Sequence, residues 1–202
     1  SGGRKTWLSP LFFMLSLGLY QSYLPAAAVI IILVLIRRTL DGAKPKDTFL
    51  TGLAACGCIL AALILYAAVL HIVMDALNSS VSYDYNGVGA LDHFAFDRIG
   101  EYLAQTVLTP ILFLFVPDAS DVIFCHTPAV SPYLNLILLA FCGIMLLPRA
   151  KALPAASKGM LLLLVLLLIP AMNFVQFIAQ GLASGLTIYA YVFFDVAVLL
   201  LA

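Results

Sequence analysis

The sequence predicts an all-α, polytopic helical membrane protein: one membrane domain over residues 1–202, with about four full spans, a short N-terminal helical hairpin and one re-entrant or interfacial helix. Composition carries that prediction. Of the 202 residues 64% are hydrophobic and only 10% charged, against about 45–50% and 25% in soluble domains, so there are too few polar residues to clothe a water-facing surface. The mean hydropathy of +1.11 places the surplus apolar surface against lipid. Ten basic residues balance ten acidic ones, which leaves no electrostatic footprint for nucleic acid and excludes it as a partner. The chain opens on Ser1-Gly2-Gly3 and stops inside an apolar run at Leu201-Ala202, which reads as a piece of a longer polypeptide.

Each element follows from length and charge. A hydrocarbon core about 30 Å thick needs about 20 apolar residues per helix, which residues 49–74, 129–147 and 159–178 approach. Residues 187–202 make a fourth span. The first apolar stretch, residues 8–36, has Arg4 and Lys5 on one flank and Arg37 and Arg38 on the other. Equal charge at both ends favours a hairpin turning at residues 20–25, and one long tilted helix is the competing reading. The basic clusters Arg37, Arg38, Lys44, Lys46 and Arg149, Lys151, Lys158 put both connections in the cytoplasm and residues 75–101 outside. Were residues 102–116 to cross, the second basic cluster would fall outside. That short run, interrupted by Pro110, is therefore expected to re-enter or to lie at the interface. Cys56, Cys58, Cys125 and Cys142 show no metal spacing and are read as small packing residues.

Polar side chains are expensive in lipid, so their positions point to function. Tyr20, Gln21 and Tyr23 fall at the hairpin turn, where they serve either as interhelical and interfacial contacts or as the lining of an outward-facing cavity. In the outer segment Asp92, His93, Asp97, Arg98 and Glu101 follow a tyrosine-rich turn. If that segment is helical, His93, Asp97 and Glu101 share one face, able to hold a divalent metal through His93 and Asp97, to supply a general base, or simply to be solvated. Asn173, Gln176 and Gln180 recur at helical spacing and share a face turned to other helices or to a cavity. Asp195 is the one carboxylate well inside a span and needs a partner.

Three stretches in order along the chain carry a resemblance: Leu15-Ser16-Leu17-Gly18-Leu19-Tyr20-Gln21-Ser22-Tyr23-Leu24, then Ser82-Tyr83-Asp84-Tyr85-Asn86-Gly87, then Pro170-Ala171-Met172-Asn173. They resemble the bacterial serotype-converting glucosyltransferases of O-antigen modification, with Gly89 standing where an acidic residue is expected. The resemblance implies a multi-pass inverting enzyme of the bacterial cytoplasmic membrane. Such an enzyme takes glucose from a polyprenyl-phosphate carrier and adds it to a lipid-linked glycan on the outer side. Its main catalytic acid is expected upstream of Ser1, leaving Asp92, Asp97 and Glu101 as the acids available in this chain. Tyr20, Gln21, Tyr23, Arg98, Asn173, Gln176 and Gln180 are then the residues expected to bind substrate. A lipid or solute transporter would place polar residues at the midplane, in paired repeats that are not seen here. A non-catalytic scaffold subunit is the remaining alternative.

Overall fold

The computed structural model describes residues 8–19, 23–77, 95–116 and 130–178, together with Tyr191 and Val196. Among them the chain forms α1 (Ser9–Leu19), α2 (Tyr23–Leu40), α3 (Pro45–Ala76), a single 3-10 turn at Phe96–Arg98 running into α4 (Ile99–Phe115), α5 (Ser131–Ala152) and α6 (Ala155–Ile178), and no strand. Four of these helices, α2, α3, α5 and α6, are long and apolar enough to cross a membrane.

The first apolar stretch is broken into two helices. Phe13 of α1 and Ile30 of α2 line one cavity of about 240 Å³, although a continuous straight helix would hold them about 25 Å apart. The chain therefore folds back, as the hairpin reading expected. Its arms are unequal: α1 has 11 residues and α2 has 18, so the second arm is itself as long as a span. The count of four thus includes α2. The expected span at residues 187–202 lies outside the described residues except for Tyr191 and Val196.

A compact turn joins α2 to α3. Gly42 takes φ +86, and its N–H bonds Thr39 O at 3.1 Å while the Ala43 N–H reaches Arg38 O at 3.0 Å. That pair of bonds is the Schellman closure, which needs a residue free of a Cβ penalty at the left-handed position. Lys44 then caps α3, and Pro45 begins it where a missing N–H does no harm. At 32 residues α3 is about 48 Å long, so it must tilt or project beyond the hydrocarbon.

The core centres on α2 and α6. Val29, Leu35, Ile36 and Leu40 of α2 share one buried cluster with Leu164, Leu168 and Met172 of α6 and Leu153 of the α5–α6 connection. In its most apolar stretch 44% of α2 is buried against 6% of α3, which packs on α1 and α2 and leaves the rest of its surface open. Leu40 and Leu153, next to the connections bearing Arg37, Arg38, Lys44 and Lys46 and Arg149 and Lys151, both belong to that cluster, and the positive-inside rule assigns those connections to one side of the membrane, the basic end of the bundle.

Helix α4 has 17 residues, about 25 Å, with Pro110 inside it. Tyr102, Thr106, Pro110 and Leu114 recur every fourth residue as its buried stripe, and it packs chiefly on α6. Its C-terminal end is tied to α5: the Asn135 side-chain amide donates to Leu114 O at 2.8 Å, satisfying one of the carbonyls a helix end leaves open.

With the basic end in the cytoplasm, a single cysteine at Asp97 in a cysteine-free chain should react with a membrane-impermeant maleimide added outside intact cells, while one at Lys151 should not. The reverse pattern defeats the assignment of sides.

Candidate functional site

Polar chemistry gathers in the first two turns of α4. The Arg98 guanidinium grips the Glu101 carboxylate through two bonds, Nη2 to Oε1 at 2.7 Å and Nε to Oε2 at 2.9 Å. That fork geometry fixes the carboxylate in orientation as well as position. The guanidinium carbon also lies 5.6 Å from the centroid of the Tyr102 ring, a cation–π distance. Gln105 Nε2 donates to Glu101 Oε1 at 3.3 Å, leaving Gln105 Oε1 buried and without a partner. Arg98 is held above its ordinary pKa, first by the hydrogen bond to Glu101 and then by that carboxylate's charge, so it remains a cation. The arrangement presents a half-exposed carboxylate with one face braced by donors and the other open.

The second polar feature is a break in α6. Pro170 stands inside the helix, and Asn173 takes φ −135 and ψ 16, off the helical values. A proline removes one backbone donor and crowds the preceding turn, so a kink near it is expected. Asn173 is 1% exposed, yet neither its Oδ1 nor its Nδ2 has a hydrogen-bond partner. A buried unpaired polar group costs about 1–3 kcal/mol.

The third feature is a groove of about 450 Å³ between α2, α3 and α6, with Ile31, Leu35, Leu53, Cys56, Leu163 and Phe174 among its walls. It exists because α3 and α6 each pack on α2 but scarcely touch each other.

A family model, Glucosyl transferase GtrII, matches residues 3–201. The chain belongs to that family. No curated protein and no solved structure matches it. Membership of the GtrII family, with four helices long and apolar enough to cross a membrane, makes this a membrane protein of a glucosyltransferase family.

Several residues singled out in this GtrII chain lie outside the described residues: Tyr20, Gln21, Asp92, His93, Gln180 and Asp195. Tyr23 opens α2 and lines the small cavity against α1. The continuous helix that would set His93, Asp97 and Glu101 on one face does not form, because Ala95 has ψ 89 and the 3-10 turn starts only at Phe96. Among the described residues no three His, Cys, Asp or Glu side chains converge as a metal seat. Arg98 and Glu101 do come together, with Asp97 exposed beside them. Gln176 lies on α6 beyond the break at Asn173, so regular helical spacing no longer relates the two.

Sequence reasoning missed Asn135, Gln105 and the buried Thr48, all polar residues within or beside apolar runs. The rule that drew attention to Asn173 applies equally to Asn135, so that signal was available.

If Asn173 is kept for a ligand and not for packing, Asn173→Leu should raise thermal stability in detergent by about 1–3 kcal/mol while lowering glucosyl transfer by the whole enzyme. Loss of both stability and transfer would mean that the amide is structural.

Proposed function

We propose that this chain is the membrane part of a glucosyltransferase that moves glucose from a polyprenyl-phosphate carrier to a lipid-linked glycan such as O-antigen, on the outer side of the bacterial cytoplasmic membrane. The braced Glu101 carboxylate, in a chain of the GtrII family, is the observation that carries the reading. Transfer from a phosphate leaving group needs a base for the acceptor hydroxyl. In this reading Glu101 takes that proton, the acceptor oxygen forms its bond to the anomeric carbon, and the bond from that carbon to the phosphate oxygen breaks. The polyprenyl phosphate departs with the electron pair.

Arg98 is the positioning residue. It holds the carboxylate in one rotamer and keeps a positive charge beside the site where negative charge accumulates on the leaving phosphate. Tyr102, under the guanidinium, fixes Arg98 in turn. Asn173 supplies an unpaired donor and acceptor suited to sugar hydroxyls. The lipid tails of both substrates are accommodated by the bilayer-facing surfaces, of which α3 offers the largest. In this reading the polar end of the chemistry lies opposite the basic connections, as charge parity expects.

Glu101→Gln in the full-length enzyme should reduce transfer from polyprenyl-phosphate glucose by about 10²-fold or more, with the melting temperature nearly unchanged because the residue is half-exposed. Arg98→Lys should reduce it less and shift its pH dependence, since a single ammonium cannot reproduce the fork. Wild-type turnover in Glu101→Gln would remove this carboxylate from the reaction.

A further inference from the structure

The groove between α2, α3 and α6 has a polarity that the transfer reaction does not use. Along α6 it extends from Met160 to Phe174, about 21 Å of helix, and along α3 from Thr48 to Ile59, about 16 Å. One leaflet of the hydrocarbon core is about 15 Å deep, so the groove is as long as one acyl chain. Its start lies at the basic end of the bundle, within two turns of Lys44 and Lys46. Among the described residues neither lysine has an ion pair, whereas Arg37 is held by Asp41 at 3.3 Å and Arg38 donates to Thr51 Oγ1 at 3.1 Å. Among the described residues the other acid near them in sequence, besides Asp41, is the exposed Asp47.

Thr48 forms part of the groove wall at this same end and is fully buried, and its hydroxyl has no partner. The other buried threonines of the bundle, Thr39 and Thr106, return their hydroxyls to the carbonyl four residues back, at 2.8 and 2.7 Å. For Thr48 that carbonyl belongs to Lys44, which already accepts the N–H groups of Asp47 and Thr48 at 3.0 and 3.1 Å. No side chain caps the first turn of α3 either. An apolar slot of leaflet depth, open to lipid along Leu53 and Leu163, thus ends at two free ammonium groups, an unsatisfied hydroxyl and an uncapped helix start.

We infer that this groove seats one acyl chain of an anionic glycerophospholipid from the leaflet at the basic end, with its phosphate against Lys44 and Lys46 and an ester oxygen within reach of Thr48. On the function proposed above, the polyprenyl-phosphate donor does not fit the slot in this register, because its phosphate is used at the opposite end. The bound lipid fills the cleft that α3 and α6 leave open and so holds α3 against α2.

Delipidated full-length protein, titrated with phosphatidylglycerol or phosphatidylcholine and read by native mass spectrometry, tests this. Each lysine beside a membrane surface strengthens attraction to anionic lipid by about fivefold, so phosphatidylglycerol should bind about tenfold or more tightly than phosphatidylcholine. The double change Lys44→Gln with Lys46→Gln, on exposed side chains, should bring that ratio close to one. Leu53→Trp, which fills the slot from its lipid-facing side, should abolish the bound phosphatidylglycerol with the lysines intact. Equal affinity for both lipids, or a ratio unmoved by the lysine changes, would overturn the proposal. So would one-for-one displacement of phosphatidylglycerol by undecaprenyl phosphate, which would make the slot a donor site. Each of these results is independent of whether Glu101 serves in transfer.

Discussion

The packing of α2 against α6 is the contact on which the rest of the bundle depends. In lipid the hydrophobic effect does not draw helices together, so association relies on close packing and on a few polar links. Val29, Ile36 and Leu40 on α2 and Leu164, Leu168 and Met172 on α6 supply the close packing. Other helices attach to this pair at restricted points. Gly52 lets α3 approach α2 so closely that an added Cβ would sit 3.1 Å from Leu35 Cδ1, and α4 lies along α6 with Asn135 of α5 holding its end. Because α3 packs chiefly on α1 and α2 and scarcely on α6, a cleft between it and α6 follows directly from the topology.

Polar groups divide into two sets with different explanations. Thr39, Thr51 and Thr106 return their hydroxyls to their own helices, and Asn135 spans from α5 to α4. Interhelical bonds of the last kind are worth about 0.6 kcal/mol on average in a membrane, enough to set register. Thr48, Gln105 and Asn173 instead bury polar atoms without partners, at about 1–3 kcal/mol each. That exceeds the return from the bonded set, so packing alone gives no reason to retain them. A second group, supplied by substrate or lipid, is the economical explanation.

Much of the architecture was legible in the sequence. The long apolar runs gave α3, α5 and α6 nearly to their ends, and Gly42 with Pro45 marks the turn that brings the basic residues to one end. Unequal hairpin arms were less visible, since apolar composition alone does not say where a helix breaks. The acidic face was less legible for a related reason: spacing at i, i+4 and i+8 assumes a helix already in progress at His93, which lies outside the described residues, whereas Ala95 is non-helical and a 3-10 turn at Phe96 leads into the α-helix at Ile99. Periodicity describes the faces of a helix; its starting point depends on local backbone bonds that the pattern does not encode. Arg98 and Glu101, not paired from the sequence, come together because three residues of spacing span one turn wherever the helix begins.

The break at Asn173 connects the fold to the chemistry through depth. Ala155 to Asn173 is about 27 Å of helix, so a helix entering at the basic end loses its regular backbone close to where a 30 Å hydrocarbon core gives way to headgroups. Irregular backbone at such a depth is tolerated only where protein or a cavity shields it from lipid, and Asn173 is indeed shielded, at 1% exposure. A straight α6 would have carried apolar side chains past that level at no electrostatic cost. The sequence instead places Pro170 to open the helix and an amide three residues later, inside the opening. The result is a buried donor and acceptor at headgroup depth, the level at which the proposed lipid-linked donor would present its glucosyl phosphate.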